Sequence, residues 1–331
     1  MGALTQDYPL LVIVGPTAAG KSALAIALAS HWNGEIVNCD SVQIYRGFDI
    51  GTGKVPLQER RGIPHHLLDI AEPSQAFTAG DYRREAIRVL HEVRARQHLP
   101  IVVGGTGLYL RALLLGLFEG PERSEVLRER LSQIVRRHDR DFLHRMLRRM
   151  DPKAAERIHP RDHPKVIRAV EVCVLARRPI TAMHAQGRSA LEGFQILKVG
   201  LNPPRTELSN RIARRTERMF ETGLLDEVRD MLKRQDAERV KPLGAIGYRE
   251  ARALLAGELT PDEAIRRAQS ATRQYAKRQL TWFRREKHVE WFEGFGDDSA
   301  IERRVSEWLS GRLQDSKCKL RRNSQTDRGE S

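Results

Sequence analysis

The sequence predicts an α/β protein, a parallel sheet flanked by helices and interrupted by an all-helical insertion. Three observations point there. The runs Leu10 to Val14 and Leu99 to Val103 are wholly apolar, as parallel strands buried on both faces are. Segments with the 3.6-residue period of amphipathic helices follow them. From 121 to 190 the apolar residues keep a helical period and no strand pattern intervenes. A chain of 331 residues exceeds what one compact core usually holds. The core is therefore expected at 1–120 and 191–314, the insertion at 121–190, and a polar, disordered tail at 315–331.

The first strand leads into Gly15-Pro16-Thr17-Ala18-Ala19-Gly20-Lys21-Ser22 and then an Ala/Leu-rich helix over 21–31. Strand, glycine loop and helix are the setting that the pattern G-x-x-x-x-G-K-[ST] requires, so the sheet is read as P-loop NTPase-like. The loop N–H groups and the helix dipole form an anion nest, Lys21 reaches a terminal phosphate, and the Ser22 hydroxyl is the candidate Mg²⁺ ligand. A second strand, Glu35 to Asn38, ends in Cys39-Asp40-Ser41. Carboxyl ends of parallel strands share one edge, which puts Asp40 beside the phosphate loop. There it is either a base, or a carboxylate that caps the next turn or holds Mg²⁺ through water.

Residues 42–73 are rich in glycine and proline, with one short strand expected at Leu67 to Ile70; so long a connection inside a compact domain reads as functional. A helix follows over 78–97, with Tyr82, Ala86, Val89, Leu90 and Val93 on its apolar side. The strand Leu99 to Val103 ends in Gly104-Gly105-Thr106-Gly107 before a helix over 108–117. A hydrolytic P-loop ATPase normally has an acid at such a strand end. Backbone donors and one hydroxyl suit phosphate oxygens better than activating water; a plain helix entry capped by Thr106 is the alternative.

In the insertion, 17 Lys and Arg stand against nine Asp and Glu, so more than half of the chain's net charge of +14 lies there. That favours a polyanionic partner, although Arg-rich helices are also ordinary solvated faces. Phe194 to Leu201 returns to a strand. In the helix over 206–222, Arg211 and Arg215 share a face and either clamp a diphosphate or pair along the helix surface. Helices are expected over 224–233, after the turn at 244–249, and over 261–287, the last clear one. This last helix carries an apolar stripe of Ala264, Ala268, Ala271, Tyr275 and Trp282, and a second face of Arg266, Arg273, Lys277 and Arg284. Tyr275 and Trp282 are expected in the core, and the basic face is placed to track phosphates. Cys39, Cys173 and Cys318 are widely spaced and odd in number, which gives no disulfide framework and implies a reducing cytosol. No apolar run approaches about 18 residues, so a soluble, cytoplasmic protein without a membrane partner is expected.

Read in order, the residues resemble the tRNA dimethylallyltransferase (tRNA isopentenyltransferase) family of the bacterial type. The resemblance rests on G-P-T-A-A-G-K-S at 15–22, D-S-V-Q-I-Y at 40–45, D-I-G-T-G-K at 49–54, P-H-H-L-L-D-I at 64–70, V-G-G-T-G-L-Y at 103–109, G-A-I-G-Y-R at 244–249 and K-R-Q-L-T-W-F-R at 277–284. It implies transfer of a dimethylallyl group from dimethylallyl diphosphate to the exocyclic amine of the adenine next to the anticodon, assisted by Mg²⁺. The partner is then the tRNA anticodon stem-loop, and a monomer is expected. By the same likeness the phosphate loop holds the donor's diphosphate, Asp40 is the general base, and Thr106 binds the diphosphate and helps it leave. Family tRNA contacts map to Asp40-Ser41-Val42-Gln43, Thr106, Arg128, Pro164-Lys165-Val166-Ile167-Arg168, Gly244-Ala245-Ile246-Gly247-Tyr248-Arg249 and Lys277-Arg278-Gln279-Leu280-Thr281-Trp282-Phe283-Arg284. Pro164-Lys165 departs from the family's usual Gln-Arg and loses the planar bidentate fork. The zinc finger of eukaryotic relatives has no counterpart in the Cys/His pattern. Arg211 and Arg215 as diphosphate contacts come from helix spacing, not from the likeness.

Other classes remain open from the residues alone. A small-molecule or nucleotide kinase with a helical lid would need a nucleoside triphosphate and leaves the basic insertion unexplained. A free-adenine-nucleotide prenyltransferase differs in its acceptor. A non-catalytic RNA-binding module leaves Lys21 without a task.

Overall fold

The computed structural model describes residues 7–118, 120–139, 141–185, 187 and 189–315. Contacts divide the chain into two units, one of Met1–Leu113 with Leu191–Ser331 and one of Leu114–Ala190. The second unit thus begins at Leu114, inside the stretch expected to belong to the core.

The elements in chain order are β1 (Tyr8–Val14), α1 (Lys21–Trp32), β2 (Gly34–Asn38), β3 (His65–His66), α2 (Ala79–Ala95), β4 (Leu99–Val103) and α3 (Gly107–Leu115). Next come α4 (Glu125–Arg137), α5 (Phe142–Met150), α6 (Pro152–Arg157), α7 (His163–Ala176) and α8 (Ile180–Ala185). The chain continues with β5 (Phe194–Leu201), α9 (Arg205–Glu221), α10 (Leu224–Leu232), α11 (Tyr248–Leu255), α12 (Pro261–Phe283), β6 (Val289–Phe292) and α13 (Ser299–Asp315).

Among the described residues the six strands form one parallel sheet in the order β3-β2-β4-β1-β5-β6. Every residue of β1, β2 and β4 is buried, as strands covered on both faces must be. Asn38 pairs with Val103 and Val103 with Ile13, so the carboxyl ends of β1, β4 and β2 lie abreast. This register brings the phosphate loop, Gly104-Gly105 and Asp40 to one edge, where ligands of open α/β sheets bind.

The short strand expected at Leu67 to Ile70 lies at His65–His66 instead. Leu67 and Asp69 adopt φ of 61° and 56°, left-handed backbone that no strand accommodates. The connection 42–73 is packed: Ile44, Tyr45, Phe48 and Ala71 share a cluster with Leu224, Val228 and Tyr248. The helix over 261–287 is not the last. β6 extends the sheet beside β5, and α13 lays Ile301, Val305, Leu309 and Leu313 on the cluster that holds Leu24, Leu28 and Val199. Of the tail expected at 315–331, residues 316–331 with Cys318 lie outside the described residues. Cys39 and Cys173 are free and buried. Among the described residues no helix is long and apolar enough to cross a membrane.

The second unit is helical, as its periodicity predicts. Leu131, Leu143, Leu147, Val166, Val170 and Cys173 form its core. Glu171, fully buried, accepts from Ser124 N at 2.8 Å, from Arg128 Nε at 3.0 Å and from Arg168 Nη1 at 2.7 Å. A buried carboxylate needs such partners, and burial alone would raise its pKa; the two arginines hold it below the usual range instead.

Candidate active site

The phosphate loop forms one side of a cavity of about 280 Å³. Thr17 to Ser22 line it; Gly15 and Pro16 do not, because Gly15 packs against Leu201 and the Pro16 carbonyl accepts from Lys21 Nζ at 2.7 Å. Other walls are Asn38, Val103, Gly104 and Gly105 from strand ends, and Thr52, Gly53, His65 and Leu68 from the long connection. Withdrawal from water pushes the Lys21 ammonium down to about 8; Arg215 pushes the same way and Asp40 opposes both. Asp40 and Lys21 are walls of the same cavity, at one edge of the sheet.

Asp40 caps its own turn and faces the cavity at once. Its Oδ1 accepts from Val42 N at 2.9 Å and Gln43 N at 3.3 Å, while Oδ2 accepts no hydrogen bond among the described residues. Thr106 holds this turn. Its Oγ1 accepts from Ser41 N at 3.0 Å and lies 3.3 Å from Ser41 Oγ, and its own N–H donates to Cys39 O at 3.2 Å. The N–H and the hydroxyl of Thr106 are thus engaged with the Asp40 strand end, and it is not a wall of the cavity.

Gln279, buried on α12, joins the phosphate loop to the end of β4. Its Oε1 accepts from Thr17 N at 2.8 Å and its Nε2 donates to Gly105 O at 3.0 Å. A Cβ on Gly105 would lie 2.0 Å from that Nε2, so only glycine admits the strut.

A second cavity, of about 370 Å³, is lined mainly by apolar groups, among them Val42, Ile212, Met219, Phe220, Ala245 and Ile246. The two cavities share Thr17, Ala18, Asp40, Thr52, Arg215 and Tyr275 as walls. The phosphate loop thus reaches both cavities through Thr17 and Ala18, and Asp40 stands where the two meet. Burial lowers the Arg215 pKa and Asp40 opposes that shift; burial, then Asp40, raises the Tyr275 hydroxyl to about 12.

The family model described as "IPP transferase" matches residues 43–286. The chain belongs to that family. It is 54% identical to a tRNA dimethylallyltransferase of Koribacter versatilis, over 89% of this chain and 96% of the relative. It is 52% identical to one of Solibacter usitatus, over 88% and 95%. Among solved structures it resembles a full-length tRNA isopentenylpyrophosphate transferase of Bacillus halodurans, at 37% identity and a TM-score of 0.68 over 94% of this chain and 98% of that one. It also resembles a eukaryotic dimethylallyltransferase acting on tRNA, at 26% identity and a TM-score of 0.80 over 96% and 82%.

The expected site residues divide once they are placed. Arg215 lines both cavities, but Arg211, on the same helix face, is bound to Asp297 at 2.6 and 2.7 Å and lies 3.6 Å from the Phe295 ring centroid. Three residues of α9 lie between Arg215, a cavity wall, and Arg211, whose partner Asp297 packs against Gly20 of the phosphate loop. Ser41 and Val42 line the apolar cavity, whereas Gln43 lines the other and donates to Thr52 O at 3.1 Å.

Several expected tRNA contacts are internal. Val166, Tyr248 and Phe283 are fully buried, and Gln279 is the strut described above. Arg128 and Arg168 serve Glu171. Trp282 is half-buried, with the Arg111 guanidinium 4.5 Å over its ring, and Leu280 and Ile167 are half-buried as well. Gly244, Ala245, Ile246 and Gly247 wall the apolar cavity. Pro164, Lys165, Arg249, Lys277, Arg278, Thr281 and Arg284 are exposed, as are Arg266 and Arg273. Tyr275, expected in the core, is instead a wall shared by both cavities. A Gln in an apolar stripe is the signal that could have exposed the strut; Thr52 and Gly53 stand in the motif at 49–54, which by itself gave them no role, and nothing in the sequence marks Glu227.

Proposed function

We propose that the chain prenylates tRNA, moving a dimethylallyl group from dimethylallyl diphosphate to the exocyclic amine of the adenine beside the anticodon and releasing diphosphate. The observation that carries this is Asp40, a wall of the phosphate-loop cavity and the apolar cavity alike. An adenine amine is a poor nucleophile, because its lone pair is delocalised into the ring. The electrophile must therefore be strong, and an allylic carbon becomes so as its diphosphate departs. Loop N–H groups, Lys21 and Arg215 stabilise the charge on the leaving oxygen. As the C–O bond breaks and the N–C bond forms, the amine becomes acidic and Asp40 takes its proton, so an ordinary carboxylate suffices.

Ser22, a wall of the cavity, would give Mg²⁺ an oxygen ligand beside the donor's phosphates, and the ion would neutralise charge on the leaving diphosphate. Thr106 contributes by fixing the Asp40 turn. The exposed basic residues of α12 and of the helical unit supply phosphate contacts, and the target base leaves its stack to enter the apolar cavity. The chain acts as a monomer in the cytoplasm.

Mass spectrometry of tRNA nucleosides from cells with and without the gene tests the reading: prenylated adenosine is expected only with it. Purified protein should transfer label from dimethylallyl diphosphate to tRNA and not to AMP. Phosphoryl transfer from ATP without prenyl transfer would overturn the proposal.

A further inference from the structure

We infer that Glu227 is a positioning residue that sets Arg215 through the turn 49–53; the inference rests on the reading of Arg215's cavity as the donor diphosphate's seat. Glu227 belongs to α10 and is a wall of neither cavity. Its Oε2 accepts from Asp49 N at 2.9 Å and Ile50 N at 2.8 Å; its Oε1 accepts from Gly51 N at 3.4 Å and from the Tyr248 hydroxyl. Three consecutive N–H groups on one carboxylate make an anion nest filled by the protein itself. Tyr248 is fully buried, and burial followed by Glu227 pushes its pKa up, so it stays a donor.

The turn is pressed onto the starts of α10 and α11. A Cβ on Gly51 would lie 2.5 Å from the Tyr248 ring and 2.8 Å from Leu224 Cδ1. One residue on, Thr52 O accepts from Arg215 Nη2 at 3.2 Å and from Gln43 Nε2 at 3.1 Å. A Cβ on Gly53 would lie 1.9 Å from Arg215 Nη2, so the guanidinium rests on the turn's backbone. The chain of support runs from Glu227 through the amides of 49–51 to the Thr52 carbonyl and the guanidinium. It joins the motifs at 49–54 and 244–249, which are distant in sequence.

Calorimetry with inorganic diphosphate on the full chain tests this. Glu227→Ala should weaken binding about tenfold, and Glu227→Gln, which keeps one carbonyl acceptor, about threefold. With dimethylallyl diphosphate as substrate, KM should rise about tenfold, and kcat should fall less than in Arg215→Gln, which removes the guanidinium outright. If Glu227 acts through Arg215, the double variant Glu227→Ala/Arg215→Gln should bind diphosphate no worse than Arg215→Gln alone, within about twofold. A merely structural role predicts losses that multiply, and that result would overturn the inference, as would wild-type binding by both Glu227 variants. Should Glu227→Ala fail to fold, the same comparison is made with Glu227→Gln. Failure of the wild-type chain to bind diphosphate would remove the reading of the seat and this inference with it.

Discussion

The cavity around Lys21 is framed by three strand ends that lie side by side in one sheet, whereas the cavity around Ile246 is assembled mostly from helix faces and turns, with Thr17, Ala18 and Asp40 at the side it shares with the first. The first offers backbone N–H groups that the sheet holds in place, and the second offers side-chain surface. A fixed anion seat suits a small charged donor, and an apolar chamber suits a base that arrives from outside. Asp40 and Arg215 belong to both, so substitutions should sort by chamber everywhere except at these shared walls.

The largest effect is expected at Lys21. Lys21→Ala should lower prenyl transfer on the order of 10³-fold with tRNA binding intact, measured by label incorporation and filter binding. Arg215→Gln should raise the KM for dimethylallyl diphosphate about thirtyfold, while Arg211→Gln on the same helix face changes it less than about twofold. Equal effects would erase the distinction between the two arginines. In the apolar chamber Ile246→Ala should raise the KM for tRNA about fivefold and leave diphosphate binding unchanged. The smallest effect is on pH. Bound diphosphate favours charged Lys21, whose pKa in the free protein is about 8, so affinity is constant at lower pH and falls as pH climbs through 8. Calorimetry should show Kd for diphosphate rising about threefold between roughly pH 7.5 and 8.5.

What was legible in the sequence follows the same division. The phosphate loop could be read because its strand, loop and helix are contiguous, and the parallel sheet then brought Asp40 to the same edge. The apolar chamber could not, because its walls converge only through tertiary packing: Tyr275 was assigned to the core and Gln279 to the tRNA face, although both point from α12 toward the strand ends. α13 carried a readable stripe, Ile301, Val305, Leu309 and Leu313, diluted by charged neighbours, and β6 is a four-residue edge strand with little pattern of its own. Charge was the least informative signal. Arg128, Arg168 and Arg211 count toward a basic surface, yet each is tied to an acid in its own unit.

The most direct test is single-turnover transfer from labelled dimethylallyl diphosphate to a tRNA anticodon stem-loop by wild type and Asp40→Asn. The asparagine carbonyl can still cap the turn at Val42 and Gln43, so only the proton acceptor is removed. The account predicts a rate about 10²-fold lower in the variant, with donor and tRNA binding within about twofold of wild type. An unchanged rate in Asp40→Asn would contradict it.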